Sequence, residues 1–280
     1  MTFHDPNMLN PFVLFGSHHS AIVCLLTSAI SASLAFTVSW SFYRSYRFSG
    51  LSYLIAIPIG FAFLGVSFIF EYFSLIYRFN DLLYPELFWI QLILQSNGLA
   101  LIAISYKFKV SNYNDADISI SEEEQYLDPE ITNGTYNHLH TRLGNRVRKA
   151  VTGSLFVGLI LMSFLVPISD LTFSPYFDYA KLSDLAVYMN IFNMIILGYI
   201  LRNVVLSLAE KFDTKSACTL ASFALLWISQ LFMLLTYYTY SPNSLIISAA
   251  TRLAGLFIFI YLIYYARFYA LKRILKIETR

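Results

Sequence analysis

The sequence predicts an all-α membrane protein: a bundle of seven transmembrane helices, N-terminus outside and C-terminus in the cytoplasm. Three observations predict it. Charged residues make up 13% of the chain and hydrophobic ones 57%, and a soluble domain needs about 25% charge to cover its surface. Seven apolar stretches are each long enough, at roughly 20 residues, to cross about 30 Å of hydrocarbon. The basic residues fall almost entirely on one side of the resulting alternation.

The stretches are 20–43, 51–72, 86–107, 149–168, 183–204, 216–238 and 245–268. Pro58 lies inside the second and predicts a kink there. Pro85 and Pro242 stand just before the third and seventh, where a missing amide proton is harmless, and Pro167 ends the fourth. Residues 1–20 hold no Lys or Arg, so the start lacks the basic region of a cleavable signal and the first stretch reads as a retained helix.

Orientation follows from the enrichment of Lys and Arg in cytoplasmic connections. With the N-terminus outside, the cytoplasmic side receives Arg44, Arg47, Lys107, Lys109, Arg142, Arg146, Arg148, Lys149, Arg202, Lys211 and Lys215. It also receives Arg267, Lys272, Arg273, Lys276 and Arg280, making sixteen of the 19 basic residues. Arg78 and Lys181 stay outside, and Arg252 lies within the last helix. The expected location is therefore the cell membrane, multi-pass, with the lipid bilayer as the first partner.

Connections are short except 108–148, a polar segment with the acidic run Glu122-Glu123-Glu124. Its composition predicts a flexible cytoplasmic loop, with Ser121 placed to start a short surface helix. The sequon at Asn133 falls in this loop, on the side where glycosylation does not occur. The chain holds no stretch for a soluble domain, so a signal would leave through a membrane or cytoplasmic protein partner. The net charge of +2 gives no basis for nucleic-acid binding.

Ionisable residues inside a membrane are costly and are candidates for function. Arg252 is the first, roughly 10 Å below the outer end of its helix at 1.5 Å per residue, among small neighbours that permit close helix approach. Glu71, Glu86 and Asp184, near the outer ends of their helices, are its candidate ion-pair partners. Gln91 and Gln95 share one face of the third helix, and Asn190 and Asn193 share one face of the fifth. These four amides and Arg252 form the candidate ligand-binding set. The plainer role of each is structural: interhelical hydrogen bonds for the amides, an ion pair for the arginine. Asn97 points nearly opposite to the two glutamines, and Gln230 adds an amide on the sixth helix.

Several chemistries are argued against. The seventh helix has no lysine for a retinal Schiff base, and no histidine lies at depth for a metal hydrolase or as a base for a serine. Asp and Glu keep to helix ends and loops, whereas a proton-coupled transporter usually carries a carboxylate near mid-membrane. No enzyme, cofactor or metal site is expected. His18 and His19 at the mouth of the first helix project about 100° apart, as adjacent helical residues do, and cannot easily share an ion. His4 lies nearby, and His138 and His140 fall in the long loop. Cys24 and Cys218 read as small buried residues.

Ser28, Ala29, Ser31, Ala32, Ser33 and Ala35 give the first helix repeated small-xxx-small spacing, a surface for tight packing within the bundle or across a homodimer. The first three and last three helices share an orientation. Gln95 to Leu99 can be laid over Arg252 to Leu256, but only Gly-Leu is identical and coincidence is the simpler reading.

The third stretch, Phe88-Trp89-Ile90-Gln91-Leu92-Ile93-Leu94-Gln95-Ser96-Asn97-Gly98-Leu99-Ala100-Leu101-Ile102-Ala103-Ile104-Ser105-Tyr106, resembles archaeal seven-helix membrane proteins. It resembles the membrane sensor regions that precede histidine kinases as well. The resemblance implies a sensory role but carries over no site residue, and no kinase domain follows Arg280. The expected function is thus a receptor-like or sensory seven-helix protein signalling through a partner. The alternatives are a small-solute transporter of three plus one plus three helices and a non-catalytic subunit of a membrane complex.

Overall fold

The computed structural model describes residues 18–49, 55–77, 80, 83–123, 179–210, 213–239 and 241–278, with side chains at 21–47, 55–77, 80, 83–106, 186–209, 213–239 and 241–265. The described residues form six helices and no strand: α1 His18–Ser49, α2 Ala56–Ile76, α3 Leu83–Glu123, α4 Tyr179–Glu210, α5 Thr214–Thr239 and α6 Pro242–Glu278. All six are long and apolar enough to cross a membrane, so this is a multi-pass helical membrane protein. The expected fourth helix, 149–168, lies outside the described residues.

Five of the six helices outrun the apolar stretches that announce them at both ends, because a helix continues past the hydrocarbon into the interface. The largest extension is in α3. It continues to Glu123, through sequence expected to be loop, and no Gly or Pro interrupts residues 107–123. Residues 124–148 lie outside the described part.

Pro58 corrects an expectation. Because α2 starts at Ala56 rather than residue 51, Pro58 falls in the first turn, where no intrahelical bond needs its missing N–H, and it starts the helix instead of kinking it. Ser39 on α1 donates to the Pro58 carbonyl at 2.7 Å. Caps set two other starts: Asn80 Oδ1 accepts the Leu83 amide at 3.1 Å, and Asp213 Oδ1 accepts the Lys215 amide at 3.4 Å.

The helices pack as a closed ring in chain order, α1 against α2 and so on to α6, which returns to α1. Polarity is inverted relative to a soluble protein. Trp40, Tyr188, Ile195 and Tyr264 are more than 60% exposed on the outside, where lipid solvates them, whereas Arg252, Gln91, Asn190 and Asn193 are buried. The many serines and threonines satisfy themselves locally: Thr27, Ser33 and Thr37 each donate to the carbonyl four residues back.

Helix direction can be read from the clusters that the helices share. Tyr84, Phe88 and Leu92 on α3 cluster with Ala186, Val187 and Met189 on α4, while Leu99 and Ile102 cluster lower down with Ile196, Leu197 and Ile200. α3 and α4 therefore run the same way. α1 and α6 do too, since Cys24 clusters with Leu245 and Ala35 with Leu256 and Phe259.

Close approach at two crossings depends on glycine. A Cβ on Gly60 of α2 would sit 2.6 Å from the Gly98 carbonyl oxygen of α3, and one on Gly98 2.8 Å from that of Gly60. A Cβ on Gly255 of α6 would meet the Ser222 carbonyl oxygen of α5 at 2.9 Å. Midway along the ring, Phe259 makes edge-to-face contacts with Phe61 at 5.2 Å and with Phe223 at 5.0 Å. Tyr106 meets Phe223 at 5.8 Å, so aromatic side chains fill the centre.

Candidate functional site

Above that aromatic layer, Arg252 extends from α6 into the ring. Its Nη1 donates to Glu71 Oε2 at 2.6 Å and its Nη2 to Glu71 Oε1 at 3.1 Å, a two-pronged pair between α6 and α2. Nη2 also donates to Ser28 Oγ on α1 at 3.4 Å. The Phe68 ring, one turn before Glu71 on α2, lies 4.6 Å from the guanidinium carbon and supplies a cation–π contact. The side chains of Arg252 and Glu71 are 9% and 14% exposed. In so dry a setting each ion depends on the other, and removal of either strands a charge.

α6 begins at Pro242, so Arg252 lies about 15 Å along the helix from its first residue. Of its three candidate partners, Glu71 is the one brought to it. Glu86 is exposed in the first turn of α3, and the side chain of Asp184 lies outside the described residues.

Between the ion pair and the helix ends that carry Tyr84 and Leu245 lies a cavity of about 40 Å³, room for about three waters. Its polar lining is Glu71, Ser74, Tyr84, Gln91, Ser248 and Arg252. Two of these have unused capacity: the buried Gln91 Oε1 and Arg252 Nε make no hydrogen bond among the described residues. Each belongs to a residue of the cavity's lining and is a buried polar atom left unsatisfied, a costly arrangement.

The other predicted amides lie elsewhere. Gln95 is buried one turn below Gln91 and does not line the cavity. Asn190 donates back to the Ala186 carbonyl at 2.7 Å, and Asn193 is fully buried with neither amide atom bonded among the described residues. Asn97 donates to the Ile93 carbonyl at 2.9 Å. Among the described residues no cluster of three His, Cys, Asp or Glu is placed to hold a metal ion.

Sequence reasoning missed Ser28, Phe68, Ser74 and Ser248. A signal was present for three of them: Phe68 stands three residues before Glu71, Ser74 three after it and Ser248 four before Arg252, the spacings that share a helix face. Comparison with protein-family models, curated proteins and solved structures finds no match for this chain.

Proposed function

We propose that this chain is a small-solute transporter of the cell membrane, built as three plus one plus three helices, with the N-terminus outside and the C-terminus in the cytoplasm. The observation that carries the reading is where the cavity lies. Cys24, Glu71, Tyr84 and Gln91 come to it from α1–α3, and Met233, Ser248 and Arg252 from α5 and α6. Transporters place their substrate sites at the interface between two helical halves, and this polar cavity is shared by two such halves.

Helix direction supports the seventh crossing. The common direction of α3 and α4 supports an odd number of further crossings between Glu123 and Tyr179. Residues 149–168 are the apolar stretch available for it, and the basic residues orient the whole.

The site's chemistry narrows the solute. Glu71 and Arg252 cancel each other, so the cavity favours no net charge, and the hydroxyl and amide side chains of Ser74, Tyr84, Gln91 and Ser248 in its lining favour a molecule that both donates and accepts. Small neutral or zwitterionic solutes with hydroxyl, amide or amine groups fit that description.

A sensory role is the second reading, favoured by the Phe61–Phe223–Phe259 layer, which closes the ring beneath the ion pair. The third-helix resemblance to sensor regions points the same way. Purified protein in liposomes, offered glycerol, urea and glycine, separates the two. Transport predicts uptake above empty liposomes for at least one solute. Gln91→Leu should reduce that uptake tenfold or more without lowering the melting temperature, since it removes an unpaired acceptor and leaves the ion pair alone. Thermal stabilisation without uptake would favour the sensor, and neither response would leave a partner-dependent subunit.

A further inference from the structure

We infer that the bundle is an internal duplication: α1–α3 and α4–α6 are two copies of one three-helix unit, related by a two-fold axis along the bundle. The amides Gln95, Asn190, Asn193 and Gln230 are the second unit's counterpart of the ion-pair site.

Ring packing is the first support. Its contacts fall into three couples, α1–α2 with α4–α5, α2–α3 with α5–α6, and α3–α4 with α6–α1, as such an axis requires. The shared direction of α1, α3, α4 and α6 is required by it as well.

Residue register is the second. A constant difference of 162 in residue number lays α2 on α5 and matches Phe61 with Phe223, Ala62 with Ala224, Leu64 with Leu226, Ser67 with Ser229 and Phe70 with Phe232. Every buried residue of α5, from Ser222 to Tyr237, then falls on a buried residue of α2. The same difference carries Cys24, Ser28, Ser31, Ala35 and Val38 of α1 onto Ala186, Asn190, Asn193, Leu197 and Ile200 of α4, all buried. Any two helices with one buried face can be slid into agreement, but a single shift serving two helices is a stronger constraint.

The third support is geometric. A Cβ on Gly98 would meet the Gly60 oxygen at 2.8 Å and Leu64 Cγ at 3.1 Å; one on Gly255 would meet the Ser222 oxygen at 2.9 Å and Leu226 Cγ at 3.5 Å. The crossing partners are the residues that the shift of 162 pairs. This fixes Gly98 opposite Gly255, and hence Gln95 opposite Arg252 and Gln91 opposite Ser248.

Transferred by this correspondence, the site reads differently in each unit. Arg252 becomes Gln95, Glu71 becomes Met233, Ser28 becomes Asn190, Ser31 becomes Asn193 and Phe68 becomes Gln230. One unit holds a salt bridge where the other holds amides. Buried polar atoms without partners among the described residues recur at matched places, Ser31 Oγ in one unit and Asn193 in the other. Both members of the Glu71–Met233 and Gln91–Ser248 pairs line the cavity, so the axis passes through it.

Moving the ion pair tests this. Gln95→Arg alone and Met233→Glu alone should each lower the melting temperature of detergent-purified protein by several degrees, because each strands a charge. Gln95→Arg/Met233→Glu together should recover at least half of the larger loss. A double variant no better than the sum of its singles would overturn the inference. Should the arginine variants fail to fold, a transplant decides: residues 60–70 placed over 222–232 should give a folded protein, and the same segment placed two residues out of register should not. Equal outcomes from the two transplants would overturn it as well. Neither readout involves solute movement, so failed uptake leaves the duplication standing and failed coupling leaves the transport reading to its own assay.

Discussion

Arg252 is held by two neighbouring helices at once, to Glu71 and the Phe68 ring on α2 and to Ser28 on α1, and this decides how its loss behaves. Arg252→Gln should cost about 3–5 kcal/mol by leaving Glu71 buried and unpaired, read as low expression and a lowered melting temperature. Adding Glu71→Gln should restore most of it, since two neutral amides leave no charge stranded. A single variant as stable as the parent would refute the structural role. Glycine makes a second prediction. Gly60→Ala and Gly98→Ala force a methyl into the backbone of the facing helix and should destabilise markedly, whereas a methyl added at Gly198 on α4 would meet nothing within 4 Å. Gly198→Ala should therefore be neutral or stabilising by up to about 1 kcal/mol, measured by thermal unfolding in detergent. At this scale the sequence disclosed Arg252 and offered Glu71 among three carboxylates. Choosing Glu71 required the bundle's geometry, because α2 and α6 are remote in sequence and their facing residues follow from how the ring closes.

Helices were the most legible feature, since about 20 apolar residues with polar ends specify a crossing without tertiary information. Their ends were less so. Interfacial turns are built from Tyr, Ser, Arg and Lys, which a hydropathy count treats as loop, and the extension of α3 to Glu123 is the clearest case. The repeat was hidden for a related reason. Its identities lie on α2 and α5, where Phe61, Leu64 and Ser67 match Phe223, Leu226 and Ser229, while the Gly98–Gly255 match on α3 and α6 stands almost alone. Orientation is testable element by element. In a Cys24→Ser/Cys218→Ser background, an impermeant thiol reagent added to intact cells should label Lys181→Cys and Asn243→Cys. It should spare Ser119→Cys and Glu278→Cys until the membrane is opened. The shared direction of α3 and α4 puts residues 119 and 181 on opposite faces, and the basic residues say which face is cytoplasmic. Labelling of Glu278→Cys from outside would end the seven-helix reading.

For the whole molecule, transport through a ring of two like units requires that they move relative to one another, since the Phe61–Phe223–Phe259 layer is continuous across both. Packing inside each unit is tight and backbone-close, through the Gly60–Gly98 and Ser222–Gly255 crossings and the reciprocal Ser229–Ser248 hydrogen bonds at 2.9 and 2.8 Å. Between units the contacts are side-chain ones: Ser96 Oγ lies 3.8 Å from Met189 Sδ where α3 meets α4, Ser28 meets Arg252 where α1 meets α6, and the Glu71–Arg252 pair joins α2 to α6. The α3–α4 seam, away from that ion pair, is therefore where sliding is easiest. In the same cysteine-free background, linking Ser96→Cys to Met189→Cys with a short bis-thiosulfonate should block liposome uptake of the transported solute. Linking Thr236→Cys to Ser244→Cys, whose parent hydroxyls lie 3.0 Å apart within one unit and outside the cavity lining, should leave uptake near that of the reduced protein. Both proteins should regain full activity on reduction, which separates locking from misfolding. If the two links inhibit equally, the units do not move as bodies, and a bundle that binds its solute without opening, as a sensor would, becomes the better account.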